Sequence, residues 1–196
     1  MKTAVYSGSF NPLHTGHLAI MRFLIEEAGF DRVRLVVSPK NPLKAGISSS
    51  SGPQRHEAAL KAVGRHADIF GGPDPVYGSR KVIVDSIELS MPEPHYTIRT
   101  LDALREMHPE ERLTLVMGAD NLGSITKWRS YIRILTEYGV IVYPRKGFCL
   151  EQIKHDLENS VPGAAIEIMN APEIDISSTE IREAEARGTD MSEYLM

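Results

Sequence analysis

Tyr6-Ser7-Gly8-Ser9-Phe10-Asn11-Pro12-Leu13-His14-Thr15-Gly16-His17-Leu18 lies between a short apolar run and a helical pattern. Thr3-Ala4-Val5-Tyr6 reads as a first β-strand. Leu18, Met21, Leu24, Ile25 and Ala28 recur at helical spacing, so a first helix is expected from Thr15 to Ala28, with Gly29 as its left-handed stop. At such a strand-to-helix junction, backbone N–H groups of the turn and of the helix start point at an anion. Gly8 permits a sharp turn and close approach of a ligand. Asn11-Pro12 holds the loop extended or in a turn. His14 and His17 are three residues apart and share a helix face. Two imidazoles beside open amides suit a polyphosphate, because they donate hydrogen bonds and carry positive charge near neutral pH. The pair could also ligate a metal, although no third ligand stands nearby in sequence, or be two surface histidines on an ordinary turn.

The rest of the chain bounds this reading. Its 196 residues suffice for one sizeable core, and 42% hydrophobic with 24% charged residues is the balance of a soluble globular protein. A net charge of −4 gives no global basic field for nucleic acid, so an anion site must be a local positive pocket. The single cysteine, Cys149, cannot form an intrachain disulfide and fits a reducing, cytoplasmic setting. No apolar run reaches the roughly 18 residues of a membrane span, and Met-Lys-Thr leads directly into the first strand, without room for a signal peptide. Oligomeric state stays open, a homo-oligomer included.

Taken in order, Val33 to Val37 reads as a strand covered on both faces, followed by a Ser/Gly-rich loop over 45–52 that could close over substrate. Pro53 starts a helix with Ala58, Ala59, Ala62 and Val63 inward. Residues 67–70 and 82–89 read as strands. His95 opens a helix with Ile98, Leu101, Leu104 and Met107 inward, Thr97 being a candidate N-cap. Leu113 to Met117 is a buried strand running into Gly118-Ala119-Asp120, where Asp120 either meets a ligand or caps the next helix. Ile132, Leu135 and Tyr138 line a helix that stops at Gly139. Val140 to Tyr143 is a strand with Pro144-Arg145-Lys146-Gly147 adding positive charge at its end. A helix over 151–158 and a strand over 164–169 follow. Ser177 and Glu180 have the spacing of a capping box. That leaves Ser178, Thr179 and Arg182, which with the helix N-terminus make a second phosphate cradle.

Gly8-Ser9-Phe10-Asn11-Pro12-x-His14-x-Gly16-His17-Leu18 resembles the signature of nucleotidyltransferases that move a nucleotidyl group from a nucleoside triphosphate to a phosphorylated acceptor. Ile176-Ser177-Ser178-Thr179-x-Ile181-Arg182 resembles their C-terminal motif, in the expected order and distance. Asn11 stands where the family usually has Asp. The resemblance implies an α/β fold, a doubly wound parallel sheet of the Rossmann-like nucleotidyltransferase kind. It also implies a single domain over 1–196, with the C-terminal helix in the same active site.

Within that family, the middle segments look most like nicotinate-nucleotide adenylyltransferases. Lys44 matches a basic residue there, although the usual Pro-Pro-His-Lys is here Asn41-Pro42-Leu43-Lys44; Arg55 fits a family position or is a solvated surface arginine. Tyr96, Thr97, Thr100 and Leu101 match a Tyr-Thr-x-x-Thr-Leu segment, and Gly118 and Asp120 match Gly-x-Asp. Trp128 stands where a Trp lines the pyridine pocket, followed by Arg129 where an aromatic is common. The resemblance thus implies catalytic roles for His14, His17, Lys44 and Arg182. It implies ATP contacts at Gly8, Ser9, Phe10, His14, Gly16, His17, Gly118, Asp120, Ile176, Ser177, Ser178, Thr179 and Arg182. For the mononucleotide it implies Ser9, Phe10, Lys44, Tyr96, Thr97, Trp128 and Arg129.

The expected partners are small molecules, ATP and nicotinate mononucleotide, with magnesium (Mg2+) carried on the ATP and neither nucleic acid nor membrane. The expected reaction is direct attack of the acceptor phosphate on the α-phosphorus. Nicotinamide mononucleotide, phosphopantetheine and the cytidylyltransferase acceptors are the rival substrates. From a different class, the rival is a non-catalytic nucleotide sensor on the same fold.

Overall fold

The computed structural model describes residues 1–39, 50–71, 81–171 and 176–196. Lys44 and residues 45–49 of the Ser/Gly-rich loop lie outside them.

Six strands form one sheet: β1 (Lys2–Gly8), β2 (Arg32–Val37), β3 (Val82–Asp85), β4 (Arg112–Gly118), β5 (Val140–Tyr143) and β6 (Ile166–Ile168). Their spatial order is β3-β2-β1-β4-β5-β6, and every pairing is parallel. The chain therefore winds outward from β1 to one edge, returns, and winds outward from β4 to the other. The crevice at such a switch point, at the carboxyl ends of β1 and β4, is where open α/β sheets bind ligands.

The strands are apolar on both faces, as parallel strands between helices must be. Alternate residues separate cleanly. Ala4, Tyr6, Leu35, Val37, Val116 and Ile141 pack on one face with Ile20, Met21 and Leu24 of α1 (Thr15–Glu26) and Ala59 and Ala62 of α2 (Gly52–Arg65). Val5, Val36, Leu115, Met117, Val140 and Val142 pack on the other face. There they meet Ile98, Leu101 and Leu104, which belong to the fifth helix in chain order. The intervening helices are short: α3 (Ala67–Phe70) and α4 (Ile87–Ser90). They precede α5 (Thr97–Met107); α6 (Ala119–Leu122), α7 (Tyr131–Arg133), α8 (Leu150–Ser160) and α9 (Ser178–Ala186) are the other α-helices among the described residues.

Several expectations change. Residues 67–70 are a helical turn, because Ile69 and Phe70 both donate to the His66 carbonyl at 3.0 Å. The strand expected over 82–89 ends at Asp85: its Oδ1 accepts the Ile87 N–H at 2.9 Å and bends the chain into α4, while its Oδ2 takes Arg34 at 2.9 Å. Met107 and Ile132, expected inward, are 63% and 52% exposed. Past Arg133 the helix widens into π turns over Ile134–Tyr138, which brings Ile134 inward beside Leu135. Ala58 is exposed, and the inward face of α2 is Gly52, Arg55, Ala59 and Ala62. The last strand is shorter than expected, Ile166–Ile168.

Candidate active site

β1 ends at Gly8 and delivers the chain to α1 through a tight loop. A Cβ on Gly8 would lie 3.0 Å from the Phe10 ring, so a larger residue here would crowd the folded-back Phe10. Phe10 has φ +45° and is 4% exposed, its ring edge-on to Tyr6 (5.3 Å) and to His17 (5.2 Å). It is a wall behind His17. The Asn11–Pro12 peptide is cis.

His14 is the N-cap of α1 and His17 its third residue. Nδ1 of His14 accepts the N–H of Gly16 at 3.2 Å, and Nδ1 of His17 accepts the N–H of His14 at 3.2 Å. The rings lie 3.7 Å apart. With Nδ1 of each ring accepting, the neutral tautomer of each carries its proton on Nε2. Burial and then Arg145 push the His14 pKa down to about 4. Burial, His14 and Arg145 hold His17 well below the ordinary histidine range. The positive charge expected of this pair near neutral pH is thus absent from the protein itself: the histidines are neutral donors. The local cation is Arg145, at the carboxyl end of β5. Its Nε lies 3.5 Å from Asp120 Oδ1, and its Nη2 reaches the Tyr143 hydroxyl at 3.4 Å. Arg145 was seen in the sequence only as charge near a strand end. The return of β5 beside β4 brings it to the histidines.

The two motifs meet. The Ser178 hydroxyl donates to the Pro12 carbonyl at 2.9 Å, and Arg182 Nη1 donates to the Asn11 carbonyl. Arg182 Nη2 also donates to Thr179 Oγ1 at 3.1 Å. Ser177 caps α9 by accepting the Glu180 N–H at 3.2 Å, and its hydroxyl donates to Glu180 Oε2 at 2.7 Å. The carboxylate takes that hydroxyl rather than the backbone N–H that a full capping box would use. Ile176 sits half-buried just ahead of the helix. Behind the loop, Leu195 bridges to His14 in antiparallel fashion, and the Met196 N–H donates to Leu13 at 3.4 Å.

A cleft of about 960 Å³, its open mouth included, runs alongside. Gly8, Ser9, Tyr96, Thr97, Trp128 and Arg129 line it, together with Glu88, His95, Asn121 and Lys127, which the sequence reading passed over. Its size suits a mononucleotide. Trp128 is half-buried and Arg129 exposed. Asp120 faces Arg145 instead of the cleft, and the space beside Gly118 is filled by protein: a Cβ there would lie 2.5 Å from Asp120 Oδ1 and 2.9 Å from the Tyr143 ring. Arg55 is no solvated arginine. It is 3% exposed and donates at 2.7 Å to the carbonyls of Ser9, Ser38 and Pro39, so it ties the loops after β1 and β2 together.

The cytidylyltransferase-like family model matches residues 5–184. The chain belongs to the cytidylyltransferase-like family. Two relatives carry the name probable nicotinate-nucleotide adenylyltransferase. One, from Porphyromonas gingivalis, is 36% identical over 100% of this chain and 89% of its own. The other, from Bacteroides fragilis, is 35% identical over 99% and 87%. The chain is accordingly a nucleotidyltransferase of the nicotinate-nucleotide adenylyltransferase kind. Its fold is that of the Plasmodium falciparum nicotinic acid mononucleotide adenylyltransferase complexed with NaAD. The TM-score is 0.75 at 21% identity, covering 99% of this chain and 90% of that one.

Proposed function

We propose that residues 1–196 form one nucleotidyltransferase domain that moves the adenylyl group of ATP to the 5′-phosphate of nicotinate mononucleotide, giving deamido-NAD and pyrophosphate. The observation that carries this reading is the clamped pair of motifs: two Nε2–H donors at the start of α1, joined to the start of α9 by Ser178 and Arg182. Beside it lies a cleft with Trp128 and Thr97 in its lining.

The acceptor phosphate oxygen forms a bond to the α-phosphorus as the bond from that phosphorus to the bridging oxygen breaks. The electron pair leaves with pyrophosphate. An ionised phosphate needs no general base, so the protein supplies position and charge. His14 and His17 donate to the α-phosphate oxygens, where charge builds. Arg182, Lys44 and the α9 N-terminus hold the β- and γ-phosphates, and Arg145 adds a third cation.

Tyr96, Thr97, Trp128 and Arg129 take the pyridine side of the acceptor, and Ser9 the acceptor phosphate. Magnesium carried on the triphosphate would neutralise phosphate charge there. Among the described carboxylates beside the motifs, Asp120 is engaged by Arg145 and Glu180 by Ser177, and the phosphate oxygens would hold the ion. No described helix is long and apolar enough to cross a membrane, and the free Cys149 fits the cytoplasm as the site of action.

The test is incubation with ATP and nicotinate mononucleotide, with the products identified by mass. Deamido-NAD and pyrophosphate in equal amounts are expected. ATP binding without turnover of any acceptor would make the chain a nucleotide sensor.

A further inference from the structure

Glu88 is the one carboxylate among the described residues lining the acceptor cleft, and it is 2% exposed. Its Oε1 accepts the Thr100 hydroxyl at 2.7 Å, which pins α4 to the first turn of α5. Its Oε2 is buried and has no hydrogen-bond partner. Two other atoms of the same cleft lining share that condition: His95 Nδ1 and Trp128 Nε1. Polar atoms cut off from water are nearly always paired in a folded protein, and a buried carboxylate oxygen left alone is costly. Three such atoms around one cleft are explained if a ligand completes them.

The acceptor proposed above decides which atom meets which. Nicotinate mononucleotide carries a carboxylate on the ring and a phosphate on the ribose, both ionised near neutral pH. Its ring nitrogen, bonded to the ribose, is cationic but carries no N–H, so its hydrogen-bond donors are the ribose 2′- and 3′-hydroxyls. An indole N–H, a histidine ring N–H and the cations Lys127 and Arg129, all in the cleft lining, suit the carboxylate. A glutamate oxygen does not, because two carboxylates repel. The missing hydrogen bond of Glu88 can come only from a hydroxyl of this acceptor, since the cationic ring has no N–H to donate.

We infer that Glu88 is a binding residue for the ribose of the acceptor, its free oxygen accepting a hydrogen bond from the 2′- or 3′-hydroxyl while Thr100 holds the other oxygen. This inference rests on the acceptor reading above and gives the cleft a group that reads the sugar beside those that read the ring carboxylate. It makes the enzyme selective for a ribonucleotide acceptor over a deoxyribonucleotide one. Because Oε2 is buried, meeting the sugar requires a rotation of the Glu88 side chain about its Thr100 contact.

The experiment compares nicotinate mononucleotide with its 2′-deoxy and 3′-deoxy analogues. In the wild-type enzyme, one analogue should lose about 10- to 100-fold in kcat/KM, the range for a hydrogen bond to a charged group. In Glu88→Gln, which keeps a partner for Thr100, that discrimination should shrink severalfold. In Glu88→Ala it should vanish, with the natural acceptor falling to the level of the analogue. Wild-type turnover of both analogues at the rate of the natural acceptor would overturn the assignment, and that comparison needs no variant. So would undiminished discrimination in Glu88→Gln, or a change in that variant confined to the ratio of nicotinate to nicotinamide mononucleotide. The latter would place Glu88 against the ring substituent. If the wild-type enzyme turns over ATP with another acceptor and not with nicotinate mononucleotide, the acceptor reading fails and this inference falls with it. If nicotinate mononucleotide and both analogues serve equally, only the role of Glu88 fails.

Discussion

His17 accepts the backbone N–H of His14 on Nδ1 at 3.2 Å, and the two rings lie 3.7 Å apart at the start of α1. Together with the matching bond from Gly16 to His14, this leaves both Nε2–H groups free to face a phosphate. One pair of side chains therefore caps a helix and, in the proposed reaction, supplies the donors for charge stabilisation. The two roles separate by substitution.

His14→Asn keeps a good N-cap, since asparagine ranks among the best capping residues. It removes the Nε2–H donor. Folding should be retained and kcat should fall on the order of 100- to 1000-fold. Circular dichroism with a pyrophosphate-release assay checks both, and near-normal turnover would remove His14 from the transition state.

The same variant should flatten the acid side of the stability profile. His14 titrates near 6.5 when unfolded and at about 4 when folded, so between those values the unfolded chain binds more protons. Stability then rises with pH across that window: the contribution is present above 6.5 and is lost as pH falls toward 4. The linkage is about 3 kcal/mol at most. Urea unfolding at pH 7.5 and pH 5 should show a larger drop in the wild-type protein than in His14→Asn. Equal drops would mean that His14 is not held neutral.

Arg182→Ala should weaken ATP more than the mononucleotide, because its guanidinium sits with Thr179 at the start of α9. Arg182→Lys should recover only part of the loss, since an ammonium cannot reach the Asn11 carbonyl and Thr179 as a fork does. Calorimetric titration with each ligand separately measures the difference. An effect confined to the mononucleotide would move Arg182 to the acceptor side.

Gly118 and Gly64 should respond to alanine in opposite directions. At Gly118 the added carbon meets Asp120 and Tyr143, and overpacking of this sort costs about 1–3 kcal/mol. At Gly64, inside α2, nothing lies within 4 Å, and alanine should stabilise by about 0.5–1 kcal/mol. Chemical denaturation of the two variants reads both signs, and a neutral Gly118→Ala would mean that the site there is looser than the packing indicates.

The contrast shows what a sequence can and cannot carry. The β1–α1 junction and the Ser177 cap were legible because their determinants are local: an apolar run, a glycine, a helical spacing. Ligand approach at Gly118 was a fair reading of a strand-end glycine, but the occupants of that space, Tyr143 and Asp120, come together only through β4–β5 pairing. Arg145 reached the histidines by the same pairing. Arg55 fits a family position or a solvated surface arginine in sequence, and only the fold surrounds it with four loop carbonyls, of Ser9, Ser38, Pro39 and Ser50. Asp85 ended a strand that its β-branched neighbours would have continued, and its partner Arg34 lies on another strand. In each case the deciding group is distant in sequence. The free oxygen of Glu88 belongs here too, because a buried orphan is a property of packing and has no signature along the chain.

The acceptor is the core of the functional account, and a competition assay tests it most directly. Nicotinate and nicotinamide mononucleotides differ only in a carboxylate against a neutral carboxamide. Trp128 Nε1 is an unpaired buried donor in the cleft, and in the proposed binding mode it, Thr97 and Arg129 meet the carboxylate. The NH₂ of an amide leaves buried donors unmatched at about 1–3 kcal/mol each. With both acceptors at equal concentration and ATP saturating, the ratio of deamido-NAD to NAD formed gives the ratio of specificity constants. The account predicts an excess of deamido-NAD of roughly tenfold to several hundredfold. Equal amounts, or an excess of NAD, would contradict it.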